Sequence, residues 1–279
     1  MGGGASRVRP PAVAGLFYPS DPTELRGWID IALEAAARAT PEASSTPRPS
    51  SSSAPSPAKA IIAPHAGYAY SGPVAASAYA RVAGRDDIAR VVLFGPAHRA
   101  PLAGVAAPGV DGFATPLGVV AVDVALRDDL VRRGRLTVTD AAHRDEHSLE
   151  VQLPFLQVVL GDVPVLPLAV GRGPADAVAA VLDDVWDEPA TLIVVSTDLS
   201  HYHDHLTAAA LDRETAAAIV ARHAEAVTPE RACGAVALRG LLVVARQRNR
   251  PVELLDLRTS ADTAGPADRV VGYGAFAVN

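Results

Sequence analysis

Residues Thr191–His201 read TLIVVSTDLSH: an apolar, β-branched run that gives out into Ser196, Thr197 and Asp198 and then a histidine. Two other stretches have the same shape. Ala60–Gly72 reads AIIAPHAGYAYSG and carries His65, and Val91–His98 reads VVLFGPAH and ends on His98. Short apolar runs bounded by turn residues suit strands buried on both faces. In an open α/β sheet the crevice beyond the strand carboxyl ends is where ligands bind. Strands far apart in sequence can therefore deliver imidazoles to one point, a geometry that suits a metal ion better than a core.

Outward from these runs, strand-like and helix-like segments alternate. Strands are expected near 59–63, 90–95, 164–169, 191–195, 252–256 and 270–278, and a hairpin over 112–123 turning at Pro116 and Gly118. Helices are expected over 22–38, 73–82, 124–133, 148–160, 174–186, 206–223 and 229–247. Asp21 is placed to cap the first of these, with Pro22 at its first position. Ser71 and Pro73 mark the start of the second, and Thr228 and Pro229 that of the last. The alternation predicts one α/β domain over residues 1–279, with a central, mostly parallel or mixed sheet covered by helices on both faces. Residues 40–57, rich in Ser and Pro, have little apolar mass to offset the entropy of ordering, and are expected to be a disordered insertion.

Composition narrows the function classes. The chain has 279 residues, 49% apolar and 20% charged, with a net charge of −6, so it reads as globular and carries no basic footprint for nucleic acid. No apolar stretch approaches the ~18 residues of a membrane span. Met1–Ala5 lacks the features of a signal peptide, and Cys233 is the single cysteine, so an internal disulfide is excluded and a cytoplasmic protein is expected.

Each candidate residue has a bland alternative. His65 and His98 taken singly would be turn histidines bonded to a carbonyl, but their equivalent places after two strands point to a shared site. Asp198 and His201 form either an acid/base pair or a shell orienting a ligand imidazole, whereas Ser196, Thr197 and Asp198 could simply cap a helix. His203 and His205 are expected to face solvent. His147 enters a helix from the polar run His143–Ser148 and is a catalytic or orienting candidate, with Asp145 and Glu146 complementing the helix N-terminus. Cys233 falls early in its expected helix, where the dipole and Arg231 would favour a thiolate, although most free cysteines are small buried hydrophobes. Gly234 beside it suggests that something approaches closely.

Taken together the chain resembles the MEMO family (mediator of ErbB2-driven cell motility), whose prokaryotic members are also called AmmeMemoRadiSam system protein B. The matching words are Arg9–Pro19 (RPPAVAGLFYP), Ile62–Gly72 (IAPHAGYAYSG), Phe94–His98 (FGPAH), Asp145–Leu156 (DEHSLEVQLPFL), Ser196–Tyr202 (STDLSHY), Cys233-Gly234 and Val271–Tyr273 (VGY), in family order. The resemblance implies a single α/β domain similar to class III extradiol (LigB-type) non-haem iron dioxygenases, and a metal held by His65, His98 and Cys233. By the resemblance Asp198 and His201 match pocket residues of the family and His147 lies in its Asp-Glu-His-Ser word, and these three become the catalytic candidates. The dioxygenases complete their triad with a carboxylate, so the thiol here departs from ring-opening chemistry.

The expected function is that of a metal-binding redox enzyme using Fe(II) or copper on an unknown small molecule, with zinc less favoured. A non-catalytic binding or scaffold module retaining the pocket is the alternative, and a zinc hydrolase ranks below both. AMMECR1-like and radical-SAM partner proteins are implied by the resemblance alone, and neither nucleic acid nor membrane is expected as a partner.

Overall fold

The computed structural model describes residues 7–39 and 57–279, so the Ser/Pro-rich segment expected to be disordered lies outside the described residues apart from Pro57. In chain order the elements are β1 (Val8–Arg9), α1 (Pro22–Ala39), β2 (Ala60–Ala63), α2 (Tyr68–Tyr79), β3 (Arg90–Pro96), β4 (Val105–Ala107), β5 (Gly112–Thr115), β6 (Gly118–Ala121), α3 (Val124–Arg132), β7 (Thr137–Val138), α4 (His147–Glu150), α5 (Leu153–Leu160), β8 (Val165–Val170), α6 (Asp176–Trp186), β9 (Thr191–Ser196), β10 (His201–His203), α7 (His205–Val220), α8 (Ala235–Gln247), β11 (Val252–Thr259) and β12 (Val270–Val278).

A large mixed sheet runs β10-β12-β2-β9-β3-β8-β4-β7, with β11 also paired to β12. Its centre, β2-β9-β3-β8, is parallel. These four strands are buried along nearly their whole length, so the apolar runs face helices on both sides rather than alternating. A buried Val, Leu or Ile in such a strand contributes about 1.5–3 kcal/mol. A second small sheet joins β1 to the β5–β6 hairpin, which turns at Gly118 with φ +123°. Because β9 lies between β2 and β3, their carboxyl ends stand side by side.

Helix α1 follows the expected pattern. Asp21 Oδ1 accepts from the amides of Thr23 and Glu24 at 2.9 Å, and Leu25, Ile29, Ala32 and Ala36 form the buried stripe.

Three boundaries differ from the sequence reading. Helix α2 begins at Tyr68, leaving Pro73 inside it, because tertiary packing sets its start. The Tyr68 amide donates to the Phe17 carbonyl at 2.7 Å, its hydroxyl donates to the Val151 carbonyl at 2.8 Å, and its ring packs on Trp28 and Phe155. The helix expected over 148–160 is two pieces, α4 and α5, since Pro154 has no N–H to offer the Glu150 carbonyl. Helix α8 starts at Ala235 instead of Pro229, because residues 229–234 are drawn against the end of β9. There the Gly234 amide donates to Thr197 Oγ1 at 2.9 Å, and a Cβ at Gly234 would lie 2.7 Å from Thr197 Cβ and 2.8 Å from the Ser196 carbonyl. The short strands β4, β7 and β10 carry no apolar run long enough to announce them.

Candidate metal centre

His65 leaves β2 two residues past its end, His98 leaves β3 likewise, and Asp198 leaves β9 likewise. The order β2-β9-β3 therefore sets these side chains around one crevice. His147, the first residue of α4, enters from one side, and Cys233, two residues ahead of α8, from the other. Ring nitrogens of His65, His98 and His147 all lie within 4.8 Å of one another. The His98 and His147 rings stack with centroids 4.8 Å apart, and the His65 ring meets both edge-on at 5.2 and 5.6 Å.

The network around His65 fixes its tautomer. Ser196 Oγ donates its only proton to the Ser148 carbonyl at 2.7 Å and accepts from Gln152 Nε2 at 2.9 Å. Toward His65 Nδ1, 2.8 Å away, it must therefore accept, so Nδ1 carries the hydrogen and the Nε2 lone pair faces the crevice. His98 is wired in the same sense: Glu146 Oε1 takes its Nδ1–H at 3.0 Å, and Oε2 takes its backbone N–H at 2.5 Å. A carboxylate behind an imidazole in this manner orients a metal-ligating ring and raises its basicity. His147 Nδ1 is buried without a hydrogen-bond partner, 3.4 Å from Glu146 Oε1.

Burial, reinforced by the neighbouring His98, pushes the His65 imidazole down to about 3, and burial with the neighbouring His65 pushes His147 down to about 4. Both rings are neutral near pH 7, the state in which an imidazole donates a lone pair to a metal. Burial alone would raise Glu146, but the hydrogen bonds from His98 and from the Ser148 amide outweigh it and bring its carboxyl to about 2.

Cys233 Sγ lies 3.3 Å from His65 Nε2 and accepts from the Asp198 amide at 3.3 Å. Burial and the Asp198 carboxylate push its thiol up to about 12, which, of the two readings of Cys233, agrees with the small buried hydrophobe and not with the thiolate. The dipole and Arg231 do not favour a thiolate here, because Cys233 precedes α8 within a buried turn and Arg231 pairs with Glu214 at 2.9 Å. A metal ion at the thiol would reverse this, since a coordinating thiol is deprotonated outright.

Asp198 is buried, which raises its carboxyl. Its Oδ1 accepts from the His65 amide at 2.7 Å and its Oδ2 lies 3.9 Å from His65 Nε2. His201 is half-buried, and its Nδ1 lies 2.8 Å from the Leu199 carbonyl, so its hydrogen bond is within its own turn and not to Asp198. His203 is exposed as expected, whereas His205 is half-buried with Nδ1 2.9 Å from Thr259 Oγ1. The site rests on two residues that the sequence reading did not single out for it. Glu146 was read as a helix-terminus charge, and Ser196 as a cap. Phe17, on the N-terminal segment, packs against the crevice with its ring 4.9 Å from that of His147.

Three clustered imidazoles beside a thiol, two of them oriented through Nδ1, fit a first-row transition metal better than Mg²⁺ or Ca²⁺, which select oxygen. Among the described residues no helix is long and apolar enough to cross a membrane.

Comparison with known proteins bears on the whole chain. A solved structure, the uncharacterized protein JW3007 from Escherichia coli K12, superposes with a TM-score of 0.51 at 14% identity, covering 77% of this chain and 98% of that one, which supports the α/β fold alone. A MEMO1 family protein, MK0963 of Methanopyrus kandleri, is 36% identical over 284 residues, covering 96% of this chain and 98% of its own. A MEMO1 family protein of Thermotoga petrophila is 36% identical over 276 residues, covering 95% and 97%. The model of the Memo-like protein family matches residues 9–277, and with these relatives it shows that the chain belongs to that family.

Proposed function

We propose that the protein is a metal-dependent redox enzyme holding an iron(II) or copper ion, with zinc less favoured, on His65, His98 and a third donor, Cys233. His147, Asp198 and His201 then serve proton transfer and orientation. The observation that carries the reading is the gathering of three imidazole nitrogens within 4.8 Å, two of the rings wired through Nδ1–H so that Nε2 carries the lone pair. Because His147 is as near as the other two rings, it competes with Cys233 for the third place. The chemistry is in this reading related to that of class III extradiol dioxygenases, with a softer donor set. Bound there, such an ion supplies one-electron redox chemistry and keeps a position open for a small ligand.

The chain's own residues do the rest. Glu146 and Ser196 fix the rings of His98 and His65. Asp198 spends Oδ1 on the His65 amide and keeps Oδ2 at the crevice to take or release a proton. Phe17 packs its ring against His147 and helps to hold its place.

The test is metal analysis of protein purified without added metal, repeated on H65A, C233S and H147A. Bound iron or copper in the wild type, reduced at least tenfold in H65A and in one of the other two, supports the reading and names the third donor. Metal content unchanged in H65A and C233S overturns it. Oxygen uptake by the metal-loaded protein with a catechol panel then separates a redox enzyme from a binding module that keeps the pocket without turnover.

A further inference from the structure

A cavity of about 860 Å³ opens beside the crevice, with His98 and Cys233 in its wall. Its size suits a drug-sized organic molecule. The rest of its lining comes from the segment after β3, from the end of β8 and the turn that follows, and from the first turns of α8. Each of these three segments contributes one arginine: Arg99, Arg172 and Arg239. Among the described residues no aspartate or glutamate lines the cavity. The chain as a whole is acidic, at −6, so three guanidiniums on one concave wall run against its overall charge.

These arginines are also unspent. Elsewhere Arg9, Arg85, Arg127, Arg135 and Arg248 each pair with a carboxylate. Among the described residues, Arg99, Arg172 and Arg239 make no side-chain hydrogen bond or ion pair, and the Nε of Arg239 is buried without a partner. A buried, unsatisfied donor carries a desolvation cost that a bound acceptor would relieve. The guanidinium fork matches carboxylate and phosphate oxygens two at a time, and a low-dielectric cleft lined by one sign of charge concentrates the opposite sign. Helix α8 adds to the same field, because Gly234 gives it no side-chain cap and its first turn lines the cavity. Between the charges the wall is apolar, with Pro101, Leu102 and Val236.

We propose that this cavity is the substrate pocket of the metal centre, and that its ligand is a small organic anion, with one or more carboxylate or phosphate groups held by Arg99, Arg172 and Arg239 and its apolar body directed toward His98 and Cys233. The assignment of the pocket to a substrate rests on the metal-centre reading, whereas the preference for an anion rests on the arginines alone.

The experiment is calorimetric titration of the full-length protein as purified, at fixed ionic strength, with benzene-1,3-dicarboxylate, phenyl phosphate and the neutral isostere benzene-1,3-dicarboxamide. The expected result is binding of the dicarboxylate or the phosphate at least tenfold tighter than the diamide. The tighter of the two anions identifies the head group. R172Q and R239Q should each weaken the anion at least tenfold, whereas R26Q, which removes an equal charge from the exposed side of α1, should leave it unchanged. Arg99 and Arg172 are exposed, so R99Q and R172Q test the pocket even if R239Q fails to fold. Equal affinity for anion and diamide, or wild-type anion binding in both R99Q and R172Q, overturns the proposal. Metal content, measured on the same samples, separates the two readings. Metal kept with no anion preference sinks the pocket and spares the metal centre. Anion binding lost in R172Q from a wild type that holds no metal keeps the anion preference and sinks the metal centre.

Discussion

Glu146 and Glu150 stand one helical turn apart, both fully buried, and they do opposite things. Glu150 faces the N-terminal segment. It meets Arg9 Nη1 at 2.6 Å and accepts from the Ala12 and Val13 amides at 2.8 and 2.9 Å and from the Tyr18 hydroxyl at 2.6 Å. Glu146 precedes the helix as its cap and faces the histidines. Arg9 joins the two, since its Nη2 donates to the Glu146 carbonyl at 2.9 Å and its Nε to the His143 carbonyl at 2.7 Å. One carboxylate thus ties the N-terminal segment to the turn, and the other hands the position of that turn to His98. A buried carboxylate stabilises the chain when a permanent cation satisfies it, and serves chemistry when its partner is a ring whose far nitrogen is left free.

The largest way to break the contrast is Glu150→Ala. It leaves Arg9 charged and buried, a loss worth about 3–5 kcal/mol. In a chain of this size that lowers the melting midpoint by roughly 10 °C. Chemical denaturation checks it, and metal content of the folded protein at low temperature should stay at the wild-type level. R9M/E150L removes both charges and should regain only part of the loss, because the Ala12 and Val13 amides and the Tyr18 hydroxyl still lack their acceptor. A double variant no better than E150A would show that the ion pair was not what held the segment.

Glu146→Gln should reverse the pattern. The amide keeps the shape, but both carboxylate oxygens accept from N–H groups, so the NH₂ must face one of those donors and stability should fall by about 1–3 kcal/mol, less than in E150A. Loss of the charge behind His98 should weaken metal binding by about 10–100-fold. Equal metal affinity in E146Q and wild type would make Glu146 a helix cap and nothing more.

How much of this was legible in the sequence follows from what is local. His65, His98 and Asp198 each sit two residues past an apolar run, and covalent adjacency to a buried strand nearly fixes where such a residue emerges. The α1 cap is local for the same reason. Glu146 reaches a residue 48 positions away, and no pattern in DEHS distinguishes a carboxylate that caps from one that also grips His98. Cys233 lies ahead of α8 and not within it, because the start of α8 is set by contact with the end of β9 and not by Thr228 and Pro229. The three cavity arginines lie on segments 73 and 67 residues apart, the intervals from Arg99 to Arg172 and from Arg172 to Arg239, so only the fold brings them to one wall.

Asp212 on α7 extends the comparison to a carboxylate that is only half satisfied. Its Oδ1 accepts from the Ser200 amide at 3.0 Å, while Oδ2 is buried without a partner, as is the Ser200 hydroxyl. A Cβ at Gly272, in the Val-Gly-Tyr word, would overlap this carboxylate. Gly272→Ala should therefore cost about 1–3 kcal/mol as an overpacked contact, read by denaturation. Truncating the obstacle in D212G/G272A should relieve more than half of that loss, and a double variant at the sum of the single effects would mean that strain in β12 is the cause.

Asp212→Asn should have the smallest effect and the opposite sign. Burial raises the Asp212 carboxyl above the usual range, so the folded state binds its proton more readily than the unfolded chain does. Stability from this group is then greatest in acid and falls as pH rises from the unfolded value through the folded one, above which the full cost of a buried charge is in place. Asn keeps the acceptor for the Ser200 amide, removes the charge, and places an N–H₂ where Oδ2 had no donor. D212N should accordingly be more stable than wild type at pH 7 by about 1 kcal/mol, with the difference shrinking toward zero as pH is lowered through the carboxylate range. Denaturation curves collected across that range decide it. A variant less stable at every pH would mean that the Asp212 charge is matched by a field the hydrogen bonds do not reveal.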